Sequence, residues 1–168
     1  MAILNRSPMI SVVQGVLILI FLLIFYQDTK DRMVYWFLYP LNGILSFFIQ
    51  WHYIGLMPTT ANSLINICFV LIILGVGYAY SSAIMKKPFI NGSMGSGDIL
   101  LFLFLTFSFT TSTFILLFVF SLCFSLVLHL YLKNKTTHST VPLAGYMSLF
   151  FSAVYIAAFF LEPKYLYA

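Results

Sequence analysis

The sequence predicts an all-α fold: a polytopic membrane bundle of about six transmembrane helices, forming a single integral membrane domain over residues 1–168. Two observations carry this. Residues of the AVILMFWYC set make up 62% of the chain and charged residues only 7%, whereas roughly a quarter of the residues of soluble domains are charged. The apolar residues also fall in runs close to the ~20 needed to cross a hydrocarbon core of ~30 Å. Tyr35, Trp36, Trp51 and Tyr53 stand at run ends, where amphipathic rings favour the membrane interface.

The first span is expected over Met9 to Tyr26. Arg6 followed by an apolar run superficially matches a secretory signal, but there is no small-residue cleavage site, so the run is read as a span. Spans two and three follow over Val34 to Trp51 and Asn62 to Tyr80. The segment Ser81 to Gly97, with Pro88, Gly92, Gly95 and Gly97, reads as the longest loop and a candidate gate. A single helix from Asp98 to Leu132 would be about 50 Å long at ~1.5 Å per residue, too long for one crossing. A turn is therefore expected near Thr111, separating a fourth span (Asp98 to about Thr110) from a fifth (Ser112 to Leu132). Val141 to Leu161 is the sixth.

Six alternating spans place Lys30, Arg32, Lys86, Lys87, Lys133 and Lys135 on one side and Arg6 and Lys164 on the other. The positive-inside rule makes the first side cytoplasmic. Asp28 and Asp98 then share one membrane depth at the cytoplasmic face.

The eight cations form no stripe with stacking aromatics, so a nucleic-acid partner is not expected. No His, Cys, Asp or Glu spacing predicts a metal site, and no cofactor is expected. Cys68 and Cys123 lie inside apolar runs and are expected to be buried small hydrophobes. His129 is expected to be a hydrogen-bonded core histidine, with His52 and His138 interfacial. Gly75 and Gly77 are expected to serve close helix packing.

The acids are the informative residues. The chain has four acidic side chains in all, and carboxylates near membrane spans are costly and tend to be functional. Asp28 closes the first span. Asp98 opens the fourth, in Met94-Gly95-Ser96-Gly97-Asp98. Two carboxylates sharing one proton can hydrolyse a peptide: the ionised one takes a proton from water while the other donates to the scissile carbonyl oxygen. Asp98 at a helix N-terminus is the better candidate for the base. Gly95 and Gly97 would let an extended substrate backbone approach and permit positive φ at the turn. The plainer reading of Asp98 is an N-cap. Asp31 is expected to cap span two, its alternative role being a contact to a basic substrate leader.

These segments resemble the type IV prepilin peptidases and archaeal preflagellin peptidases, intramembrane aspartyl proteases with a Gly-x-Gly-Asp motif. Met94-Gly95-Ser96-Gly97-Asp98 is similar to the second catalytic motif, Asp28-Thr29-Lys30-Asp31-Arg32-Met33-Val34 to the first, and Val141-Pro142-Leu143-Ala144-Gly145 to the proline-containing start of the last span. The chain has Tyr35-Trp36 where the family usually has Pro-Asn, and Leu100 where it has lysine. The resemblance implies cleavage of prepilin-like substrates, with a basic leader and a hydrophobic N-terminal helix, at the cytoplasmic face of the inner membrane. Nothing matches the paired-cysteine domain of the long members, so a peptidase without methyltransferase is expected. Two other functions stay open: an ion-coupled transporter using Asp28 and Asp98, and an inactive scaffold of the same fold.

Overall fold

The computed structural model describes residues 8–86, 89, 94–132, 141–160 and 164–167. The elements are α1 (Pro8–Lys30), α2 (Leu38–Ile54), α3 (Leu56–Tyr80) with a π-helical extension (Ser81–Met85), α4 (Ser96–Leu105), α5 (Thr111–Leu132), α6 (Leu143–Phe160) and α7 (Lys164–Tyr167). The all-α bundle is as the sequence predicts. α1, α3 with its extension, α5 and α6 are long and apolar enough to cross a membrane. This is an integral membrane protein.

Local chemistry sets the boundaries. Pro8 opens α1, where its missing N–H would have had no partner in any case. After Lys30 the chain turns through Arg32, whose φ of 56° is left-handed. Gln27 holds that turn twice: its carbonyl accepts from the Asp31 N–H at 2.9 Å and its side-chain Oε1 from the Tyr35 N–H at 3.1 Å. α1 thus runs past Asp28 rather than ending before it. α2 begins at Leu38 behind Phe37, so Asp31 does not cap it as expected; Asp31 is exposed in the turn after α1. Gly55 alone joins α2 to α3, at φ +85°, a conformation glycine takes without a Cβ penalty, and its N–H closes α2 on the Trp51 carbonyl at 2.9 Å.

α4 has 10 residues, about 15 Å of helix, half a membrane crossing. The turn expected near Thr111 occupies residues 106–110, so α4 ends at Leu105 rather than near Thr110, and it lies inside the bundle: Thr106, Ser108 and Phe109 are fully buried. Non-helical backbone at membrane depth is tolerated only where protein satisfies it, and α3 supplies the partners. Asn66 Nδ2 donates to the carbonyls of Thr106 and Phe109, both at 3.0 Å, while Asn62 Oδ1 accepts from the Thr111 hydroxyl at 3.0 Å.

Phe109 also carries the core. Its ring stacks on Phe151 and Tyr155 of α6, which stack in turn on Phe21 of α1, with centroids 5.4–6.1 Å apart. Such pairs contribute roughly 0.5–1.5 kcal/mol each beyond burial. Gln14 ties the same helices, donating Nε2–H to the Tyr155 carbonyl at 2.7 Å. α1 packs most extensively on α6.

Three expectations about facing residues are corrected. Cys68 and Cys123 are free and exposed on the bundle surface, not buried. Gly75 has open space where a Cβ would stand and packs against nothing, while Gly77 sits under the Phe89 ring rather than against a helix. The close glycine contacts between helices are instead at Gly43, against Phe104 of α4, at Gly97 of α4, against Tyr39 of α2, and at Gly145, against α1. The helices are apolar all round, so composition does not distinguish the face turned to lipid from the face turned to the bundle.

Candidate functional site

The C-terminal end of α1 and the N-terminal ends of α2, α4 and α6 meet at one end of the bundle. The first amides of a helix have no intrahelical partner. In α6, two consecutive ones point at two different carboxylates. Gly145 N–H donates to Asp28 Oδ2 at 2.6 Å, and Ala144 N–H donates to Asp98 Oδ1 at 2.7 Å. The start of α6 therefore clamps the last turn of α1 to the first turn of α4, and its positive dipole end faces both acids.

Asp98 is held from a second side. It is the third residue of α4, with Gly95 in the cap position, and its Oδ2 accepts from the Gly95 N–H at 3.2 Å. The expected N-cap role is corrected: Asp98 reaches back to the cap residue instead of being it. The expected positive φ is corrected too. Gly95 has φ −68°, and Gly55 is the positive-φ glycine among the described residues. The two glycines lie in crowded places. A Cβ on Gly95 would stand 3.0 Å from Asp98 Oδ2, and one on Gly97 would stand 2.7 Å from the Tyr39 hydroxyl oxygen.

Asp28 and Asp98 line one cleft of about 810 Å³, together with Gly95, Gly97, Arg32, Tyr39, His129 and the apolar side chains of Met33, Trp36, Leu122 and Leu126. Arg32 projects from the left-handed turn after α1 and acts electrostatically on both carboxylates. Of the residues singled out from sequence, Asp28, Asp98, Gly95 and Gly97 come together here, and Asp31 does not line the cleft.

Arg32, Tyr39 and His129 are among the lining residues not anticipated from sequence. His129 is not the hydrogen-bonded core histidine expected; it faces the cleft, and its Nδ1 has no hydrogen-bond partner among the described residues. Arg32 stood within the quoted Asp28 segment, which was the available signal for it. Tyr39 fell inside the expected second span, and nothing in the sequence singled it out.

The expected gate, Ser81 to Gly97, is partly helical, since Ser81–Met85 extend α3; residues 87, 88 and 90–93 lie outside the described residues, as do Lys133, Lys135 and His138. Among the described residues no three His, Cys, Asp or Glu side chains gather closely enough to hold a metal ion. Chemically, the cleft offers two carboxylates steadied by fixed amide dipoles, one guanidinium, one imidazole and one phenol, beside an apolar wall. No protein-family model, curated protein or solved structure matches this chain.

Proposed function

We propose that the protein is a membrane aspartyl endopeptidase that removes the leader of prepilin-like substrates at the cytoplasmic face. The observation that carries the reading is the clamp of Asp28 and Asp98 onto adjacent amides of one helix terminus, inside a cleft large enough for an extended peptide. In this reading the two carboxylates, anchored on adjacent amides, share one proton and titrate as a pair. The ionised carboxylate takes a proton from water as the water attacks the scissile carbonyl, and the protonated one donates to the carbonyl oxygen. The Gly-x-Gly-Asp resemblance supports the same chemistry, and the apolar wall at Trp36, Leu122 and Leu126 suits a substrate whose segment beyond the scissile bond is hydrophobic.

The test is to incubate the detergent-purified protein with prepilin-like substrates and to map any new N-terminus by mass spectrometry. A cut at the leader junction is expected. Intact substrate across a panel of such proteins would sink the reading.

An ion-coupled transporter is the second reading, favoured by one specific feature. Asn42 and Gln50 on α2 are fully buried, and neither end of either amide has a partner among the described residues. Buried amides of this kind mark hydrated paths through membrane proteins. Proteoliposomes that acidify on imposing an ion gradient, without peptide cleavage, would favour it.

A further inference from the structure

Tyr39 is the second residue of α2, and its ring belongs to the buried core at 1% exposure. Tyr39 lines the cleft, with its hydroxyl oxygen buried in the wall. That oxygen lies 2.7 Å from where a Cβ on Gly97 would stand, and it interacts electrostatically with both Asp28 and Asp98. Yet this buried oxygen has no hydrogen-bond partner among the described residues. Buried phenol hydroxyls are almost always paired, because leaving one unpaired forfeits its hydration for nothing. Of the four carboxylate oxygens of Asp28 and Asp98, three, Asp98 Oδ1, Asp98 Oδ2 and Asp28 Oδ2, already accept from the backbone amides of Ala144, Gly95 and Gly145. A donor held in place beside two carboxylates, unpaired until the cleft fills, matches the requirement for stabilising charge that develops only during reaction.

We infer that Tyr39 is a third catalytic residue, donating its hydroxyl hydrogen bond to the scissile carbonyl oxygen of the peptide in the cleft. The inference rests on the peptidase reading. As the water oxygen bonds to the carbonyl carbon, the ionised carboxylate accepts a water proton. The carbonyl oxygen takes a proton from the protonated carboxyl and keeps a second hydrogen bond from Tyr39. Collapse returns that proton, breaks the C–N bond and delivers the other proton to the leaving amine. The phenol keeps its proton throughout, and one water is consumed per bond cut. Gly97 is then glycine because any side chain there would displace the Tyr39 hydroxyl.

Tyr39→Phe removes one atom and no existing hydrogen bond, so the variant should purify and melt like the parent. Its kcat on a prepilin-like substrate should fall by about 100-fold, the lower end of what one such donor is worth, with KM within about threefold. Gly97→Ala should also lower kcat by pushing the hydroxyl aside. In the Tyr39→Phe background the same alanine should have almost no further effect, because the atom it would strike is gone. Parental kcat in Tyr39→Phe, or additive losses in the double variant, would overturn the role of Tyr39 while leaving the peptidase reading intact. Parent protein that cuts no such substrate would overturn both.

Discussion

Gly145 donates its backbone N–H to Asp28 at 2.6 Å, and a Cβ at Gly145 would stand 3.0 Å from that same carboxylate oxygen and 3.1 Å from the Asp28 Cβ. The short hydrogen bond and the close crossing of α1 over α6 are one feature: only a residue without a side chain lets the amide approach the acid. The neighbouring amide, of Ala144, takes Asp98. The spacing of consecutive peptide groups thereby sets how near the two carboxylates come.

Gly145→Ala is accordingly expected to push α1 off the start of α6. Overpacking of this kind costs about 1–3 kcal/mol, and Asp28 loses its partner as well. Gly15→Ala is the matched control, since nothing lies within 4 Å of a Cβ there; alanine should be neutral or stabilising by up to about 1 kcal/mol. Thermal melts in detergent read both. Equal midpoints for the two variants would contradict the close crossing.

Asp28→Asn and Asp98→Asn are expected to abolish cleavage, by about 1,000-fold or more, because neither amide can exchange a proton. They should differ in stability. Asp28 accepts one backbone N–H through one oxygen, which asparagine can replace, whereas Asp98 accepts through both oxygens and asparagine can keep only one. Asp98→Asn should therefore be the less stable by roughly 1–2 kcal/mol. Full activity in either variant would remove the catalytic assignment.

The rate of cleavage is expected to follow a bell in pH. At low pH both carboxyls are protonated and no base is left; at high pH the shared proton is lost and nothing donates to the carbonyl oxygen. A zinc chelator should leave the rate unchanged. Loss of turnover in chelator would point instead to a bound metal.

If the proposed orientation holds, substituted cysteines at positions 30, 86 and 135 should all be labelled from the cytoplasmic side. The background is made by replacing Cys68 and Cys123 with serine. Both face outward, so these changes should cost no more than about 0.5 kcal/mol. Labelling of any of the three from the exterior would reject the proposed orientation.

The sequence by itself determined the all-α membrane class, the approximate span positions and a turn near Thr111, and it singled out Asp28 and Asp98. Those follow from quantities that are additive along a chain: hydropathy summed over a bilayer thickness, helix length at a fixed rise, and the scarcity of acids in an apolar composition. The tertiary structure decided the rest. That α4 stops half-way and its turn is completed by Asn66, that Cys68, Cys123 and Gly75 face outward, and that Tyr39, Arg32 and His129 reach the cleft all depend on which face of each helix meets its neighbours. In water, an apolar stripe would have marked those faces in advance. In a bilayer, lipid and core are equally apolar, so the choice of face comes from close packing and hydrogen bonds between helices, and these exist only once the helices have met.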